Sequence, residues 1–167
     1  KGNAKYTKKY MHDNKGDYPV YSSQTSSLGE IGKINSYDYE EECFTWTTDG
    51  TYVGTVFYRN GKFSITTHCG ILRLKKQYEG RINFDYLDFI LNQTLPNYTL
   101  GEGSNKRLGI ERMGEISIKI PIKQNNEFDL EKQKEIADQY KEIEKIKENL
   151  KEDYEEIINS KIKMIDN

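Results

Sequence analysis

From residue 129 to about residue 165 the chain has neither glycine nor proline, and its apolar residues fall on one side of a helical wheel. Ile136, Ile143, Leu150, Ile157 and Met164 recur every seven residues, and Tyr140, Ile146, Tyr154, Ile158 and Ile162 widen the same stripe. Lysine and glutamate fill the remaining positions, the pattern of a long helix whose apolar seam meets another helix. Asp129 supplies an N-cap. At 1.5 Å per residue such a helix is roughly 55 Å long, whereas a domain of about 120 residues is roughly 30 Å across. Much of the helix must therefore project. A pairing interface is expected on Ile136, Tyr140, Ile143, Leu150, Tyr154, Ile157 and Met164, with Lys147 and Lys161 making the seam imperfect and specific.

Before residue 128 the pattern changes to short, strand-rich segments. Tyr18-Pro19-Val20-Tyr21 reads as the start or edge of a strand, because proline fixes φ and donates nothing. Ser22 to Gly32 reads as a polar loop. Cys43–Thr47 and Tyr52–Tyr58 read as two strands, joined by a tight turn at Asp49-Gly50. Asn60-Gly61, between Arg59 and Lys62, predicts a second hairpin, followed by strand-rich segments at 63–67 and 70–74. Phe84, Leu87, Ile90, Leu91 and Leu95 share a helical face that ends at Pro96. Residues 97–109 form a glycine-rich basic loop, expected to be flexible. Ile116, Ile118, Ile120 and Ile122 alternate with polar residues and Pro121, predicting a half-buried edge strand. The fold class expected is α/β of the α+β type: a strand-rich domain over residues 1–127, then one long coiled-coil helix over 128–167.

Charge is divided along the same line. Residues 129–167 hold twelve acids and eight bases, leaving fifteen acids and seventeen bases in residues 1–128. The first part is thus mildly basic, which suits a polyanionic partner without requiring one. Thirteen tyrosines and six phenylalanines, mostly before residue 100, supply a core. No run approaches the roughly 18 apolar residues of a membrane span. Cys43 and Cys69 fit reduced, buried thiols of a cytoplasmic protein.

Catalytic constellations are not apparent in the sequence. His68 beside Cys69, with His12 far upstream, offers no zinc spacing. Cys69 with His68 as a nucleophile pair is unsupported, since neighbours on a strand point to opposite faces. Asp49-Gly50 reads as a turn, and Gly101-Glu102-Gly103 lacks the strand-to-helix context of a phosphate loop. The chain is expected to bind and not to catalyse, with no metal.

Several blocks, in order, resemble one family. Lys1-Gly2-x-x-Lys5-Tyr6-Thr7 is followed by Asn14-x-Gly16-x-Tyr18-Pro19-Val20-Tyr21-Ser22-Ser23-Gln24-Thr25. Thr45-Trp46-Thr47-Thr48-Asp49-Gly50 and Gly54-Thr55-Val56 come next. Ile118-x-Ile120-Pro121-Ile122 then leads into Phe128-Asp129-Leu130-Glu131-x-Gln133-x-x-Ile136-Ala137. Together they resemble the specificity subunits of type I restriction-modification systems. The resemblance implies a non-catalytic target-recognition domain with one spacer helix. In such subunits two units stand in tandem, their helices antiparallel. They read a split sequence in double-stranded DNA and hold methyltransferase subunits, which bind S-adenosylmethionine and do the chemistry. One unit only is visible here. It is expected to be half of such a subunit, a half-size chain that dimerises, or the recognition domain of a fused enzyme. A coiled-coil adaptor that binds no DNA is the rival.

For DNA contact, the expected phosphate-positioning groups are Lys8, Lys9, Lys15, Lys106 and Arg107, with the early Lys5 beside them. Ser22, Ser23, Gln24 and Thr25, together with Tyr52, Arg59, Asn60 and Lys62, are expected to offer groups to base edges.

Overall fold

The structure, a computed structural model, describes the backbone of residues 1–165 and the side chains of residues 1–160. The stripe side chains of Met164 and Ile162, and that of Lys161, lie outside the described residues. Five strands form one mixed sheet: β1 (Tyr18–Tyr21), β2 (Glu30–Ile34), β3 (Tyr39–Thr47), β4 (Val56–Ile65) and β5 (Cys69–Leu72). Four helices accompany them: α1 (Lys8–Asp13), α2 (Phe84–Thr94), α3 (Ile110–Gly114) and α4 (Leu130–Ile165). The strand order is β2-β1-β4-β3-β5, with β1 parallel to β4 and the other pairs antiparallel.

The connection between β4 and β5 shows that this sheet cannot be flat. Both strands run antiparallel to β3, so they point the same way. Phe63 of β4 lies opposite Tyr39, whereas Cys69 of β5 lies opposite Thr47, at the other end of β3. A flat strand from Tyr39 to Thr47 covers about 27 Å, but four peptide steps from Ile65 to Cys69 reach at most about 14 Å. The sheet therefore coils into a half-barrel. Cys43, Phe63, Ile65 and Cys69 cluster inside the curl. The amino-terminal segment closes it, Asn3 N–H donating to the Ile65 carbonyl at 2.9 Å and Gly2 N–H to that of Cys69 at 3.3 Å.

Two glycine signals are used differently from the sequence expectation. Asn60-Gly61 makes no hairpin: both residues lie inside β4, opposite Glu42 and Glu41 of β3. Gly61 does take a left-handed φ of 98°. The glycine's freedom thus serves a departure from extended geometry within a continuous strand. Asp49-Gly50 does not join two strands directly either. β4 begins only at Val56, and a wide loop over residues 48–55 replaces the expected tight turn. Within it the Thr47 and Thr55 hydroxyls both donate to the Tyr52 carbonyl at 2.7 Å.

Other differences follow from pairing that local pattern does not show. Pro19 lies near the start of β1, but β1 is interior, between β2 and β4. The loop expected to run to Gly32 ends at Glu30, where β2 starts. Residues 116–120 keep the expected alternation, with Ile116, Ile118 and Ile120 packed on the main core, yet they pair with no strand. The short helices α1 and α3 have too few turns to show a periodic face in the sequence.

The main core lies between the sheet and α2. Phe44, Trp46 and Val56 meet Leu87 and Leu91, with Leu95 and Leu108 completing the layer. Gly70 stands opposite Trp46, and a Cβ there would fall 2.0 Å from the indole ring. α2 is capped by Asn83, whose side-chain oxygen accepts Tyr86 N–H at 2.8 Å. Asn92 ties α2 to β4 by accepting Val56 N–H at 2.8 Å and donating to the Val56 carbonyl at 3.2 Å.

α4 is rooted on α2 and then leaves the domain. Asp129 caps it as expected, accepting Lys132 N–H at 3.0 Å. Gln133 is fully buried and accepts Asn83 N–H at 2.8 Å, and Ala137 is buried beside it. Tyr140 packs on Phe89 at 4.7 Å between ring centroids, and Lys141 pairs with Asp85 at 2.7 Å. Beyond these contacts the stripe is open: Ile143, Leu150 and Ile157 are 50%, 62% and 56% exposed. At 100° per residue the docking face (Gln133, Ala137, Tyr140, Glu144) and the open stripe lie roughly 90–100° apart. Docking on its own domain therefore uses Tyr140, expected in the pairing stripe, but leaves Ile143, Leu150 and Ile157 open, because Tyr140 lies at the edge of the stripe nearest α2. No described helix is long and apolar enough to cross a membrane.

Candidate nucleic-acid interface

At one end of the curl, polar groups from four separate segments are linked into a rim. The Ser22 hydroxyl meets that of Thr66 at 2.8 Å, and the Thr66 hydroxyl accepts His68 N–H at 3.3 Å. His68 Nδ1 lies 2.7 Å from Asp49 Oδ1. Asp49 forms an antiparallel bridge with Arg107, while Gly50 N–H donates to the Lys106 carbonyl at 3.1 Å. Leu108 N–H donates to Thr48 at 2.9 Å, and Trp46 Nε1–H to Leu108 at 3.1 Å. The loop carrying Lys106 and Arg107, expected to be flexible, is thus laced to the β3–β4 loop by its backbone. Burial of Leu108 fixes it there.

Tyr52 lies on the same β3–β4 loop and is 62% exposed. The segment 22–30 also belongs to this side but is largely engaged with itself. Ser22 N–H donates to Gly29 at 2.9 Å, and the Gln24 amide donates to the Glu30 carbonyl, leaving its own oxygen free. Ser23 and Thr25 are half-buried. Lys8, Lys9 and Lys15 are exposed on and after α1, which packs against β2 through Met11. Asn60 is exposed on β4. Lys62 stands 4.8 Å above the Tyr37 ring and 3.8 Å from Glu40, which holds its ammonium above the usual lysine range. These lysines are not linked to the rim.

Arg59 is the clear correction among the candidate residues. It is not on a hairpin tip but 4% exposed inside the curl. Its guanidinium stacks on the Tyr21 ring at 3.5 Å. Nε–H donates to Thr45 Oγ1 at 3.0 Å and Nη2–H to the Leu28 carbonyl at 2.6 Å. Committed in this way, the side chain cannot reach a base edge. Nothing in the local sequence pattern, conversely, points to His68 and Thr66 on the rim. They come to it through the short β4–β5 link, which only the curl of the sheet makes possible.

Burial pushes the thiols of Cys43 and Cys69 up to about 12, so both remain protonated at neutral pH and are poor nucleophiles. Among the described residues no group of three or more His, Cys, Asp or Glu could hold a metal ion.

Away from the rim, a groove of about 670 Å³ runs between β4 and α4, lined in part by Tyr58, Asp85, Asp88, Tyr140 and Glu144. Burial, reinforced by Asp85 and opposed by Lys141, pushes the Asp88 carboxyl up to about 6. This raised value places the stabilising protonated form below pH 4. That stability is lost as pH rises through 6, and above it the burial penalty is complete. Asp88→Asn is therefore expected to gain roughly 2 kcal/mol over the parent at pH 8 and almost nothing at pH 4. Urea unfolding at the two pH values checks this, and an equal effect at both would remove burial as the cause.

The structure thus combines a curled sheet that presents a polar, partly basic rim with one projecting helix. The comparisons with known proteins place it further. The family model for the type I restriction modification DNA specificity domain matches residues 1–159, and the chain belongs to that family. A putative type I specificity subunit of Mycoplasma pneumoniae is 41% identical over 145 residues, covering 87% of this chain and 37% of the relative. A second is 37% identical over 160 residues, covering 96% of this chain and 60% of the relative. The type I restriction enzyme MpnII specificity subunit, from the same organism, is 37% identical over 160 residues, covering 96% and 45%. A crystal structure of a type I restriction-modification S subunit from M. genitalium shares the fold, with a TM-score of 0.63 at 15% identity. It covers 90% of this chain and 37% of that one. The chain thus spans only about a third to three fifths of the length of these proteins.

Proposed function

We propose that this chain is one DNA target-recognition unit of a type I restriction-modification specificity subunit, itself non-catalytic. The observation that carries the reading is the family match over almost the whole chain, from the half-barrel into the projecting helix. Residues 1–127 form the recognition domain and residues 128–167 the spacer. The rim at Lys106 and Arg107, with Tyr52 and the Ser22–Thr25 segment, faces double-stranded DNA, and Lys8 and Lys9 on α1 with Lys15 just after it extend the phosphate contacts. The spacer stripe pairs with a second unit, in the same natural chain or in another copy. Methyltransferase subunits carrying S-adenosylmethionine join this assembly and supply the chemistry.

The direct test is to map methylated sites across the genome of a host carrying, and one lacking, the gene. Loss of one bipartite motif is expected, and an unchanged methylation map would sink the proposal. Binding of the full chain to a duplex gives a second check. Five phosphate contacts from Lys8, Lys9, Lys15, Lys106 and Arg107 imply an affinity that falls roughly 10²- to 10³-fold between 50 and 200 mM salt. A salt-independent affinity would remove phosphate contact from the reading.

A further inference from the structure

We infer that His68 is a titratable phosphate contact of this rim, positioned by Asp49, which couples DNA binding to uptake of a proton. The inference rests on the DNA-recognition reading and adds to it a residue and a pH dependence.

His68 lines a cleft of about 360 Å³ with Thr48, Asp49, Gly50, Lys106 and Arg107. Its backbone is fixed on both sides: the N–H donates to Thr66 Oγ1 and the carbonyl accepts Thr48 N–H at 2.9 Å. Its side chain is 55% exposed, and one ring nitrogen is committed. Asp49 Oδ1 lies 2.7 Å from Nδ1, while Asp49 Oδ2 accepts the Thr48 hydroxyl at 3.0 Å. An ionised carboxylate only accepts, so Nδ1 carries a hydrogen in either charge state. In the neutral ring Nε2 then holds a lone pair, and it cannot donate to a phosphate oxygen. Protonation turns Nε2 into a charged donor, the form that a phosphate stabilises.

The charges around the ring oppose one another in the free protein. Asp49 is negative, whereas Lys106, Arg107 and Lys1, which line the same cleft, are positive. A DNA phosphate seated between Lys106 and Arg107 reverses that balance and draws a proton onto His68. Asp49 thereby acts as a positioning residue and His68 as the contact. The contact is sequence-independent, so it contributes affinity and register, not base preference.

Anisotropy of the full chain with a fluorescent duplex of arbitrary sequence, at fixed ionic strength, tests this from pH 5.5 to 8.5. Protonation of His68 in the complex gives an affinity that falls several-fold between pH 6 and pH 8. His68→Gln is expected to abolish that fall and to match the parent at pH 8. His12→Gln, at the other histidine of the chain, retains it. Imidazole proton NMR of the parent gives a readout free of substitution, and the His68 titration midpoint moves upward when duplex is added. A pH dependence that survives His68→Gln, or a midpoint indifferent to DNA, overturns the inference and leaves DNA recognition standing. Absence of duplex binding at every pH and salt concentration overturns the DNA reading itself.

Discussion

Arg59→Ala is expected to lower the stability of the folded chain by about 3 kcal/mol. It should weaken DNA binding only to the extent that it unfolds the protein. Truncation leaves the Leu28 carbonyl and the Thr45 hydroxyl without their donor and opens a cavity against Tyr21. Two hydrogen bonds from a charged group, at about 1.5–3 kcal/mol each, would give more. Release of a buried cation offsets part of the loss, because burial already lowers the guanidinium pKa. The loop that Arg59 holds is itself strained. Ser27, Leu28 and Gly29 take φ values of 51°, 52° and 85°, and the first two are not glycine. Without the bond to Leu28 this turn has reason to relax, so Ser22–Thr25 should lose hydrogen-exchange protection as well. Arg59→Lys should recover little, since a lysine cannot stack its head flat on Tyr21 while donating in two directions. Urea unfolding and duplex binding measured on the same samples decide the matter. Parent-like stability with lost binding would restore Arg59 to the base-reading role suggested by its place beside Asn60-Gly61.

That reversal shows where the sequence is readable and where it is not. α2 and α4 are long enough to repeat a face, and a capping residue begins each, so their existence and near-boundaries follow from spacing alone. Gln133 and Ala137, part of the block that carried the family resemblance, prove to be the buried root of α4. Asn60-Gly61 misleads because a glycine signal reports only that a positive φ is needed. A bend within a long strand meets that need as well as a turn does. β2, five residues with a central glycine, has no pattern until β1 lies beside it. The rim is the least legible part. Asp49, His68 and Lys106 meet only because the sheet curls, and nothing local in the sequence carries that curl. Lys106 and Arg107 were legible as basic groups, but the backbone pairing that orders their loop was not.

The second large effect is expected at the open stripe. Charging two of its positions, Ile143→Asp with Leu150→Asp, should raise the dissociation constant of the paired chain at least a thousandfold while leaving each domain folded. The two side chains are half or more exposed in the single chain, so they contribute little to its own stability. Roughly 100° round the helix, Gln133, Ala137 and Tyr140 hold it to the domain, and neither substitution touches them. In a paired state each chain presents both residues to a partner. Four buried aliphatic side chains at about 1.5–3 kcal/mol each exceed the roughly 4 kcal/mol that a thousandfold change requires. Burying carboxylates in their place adds a further penalty. Lys147, between the docking face and the stripe, pairs with Glu144 at 2.7 Å and can reach along the seam without leaving a bare charge in it. Sedimentation equilibrium of the parent and the double variant measures the difference, and circular dichroism checks that the variant stays folded. A parent chain that stays monomeric at high concentration yet binds duplex would move the stripe's partner from a second copy to a further segment of a longer natural chain. An equally paired double variant would exclude the stripe as the interface altogether.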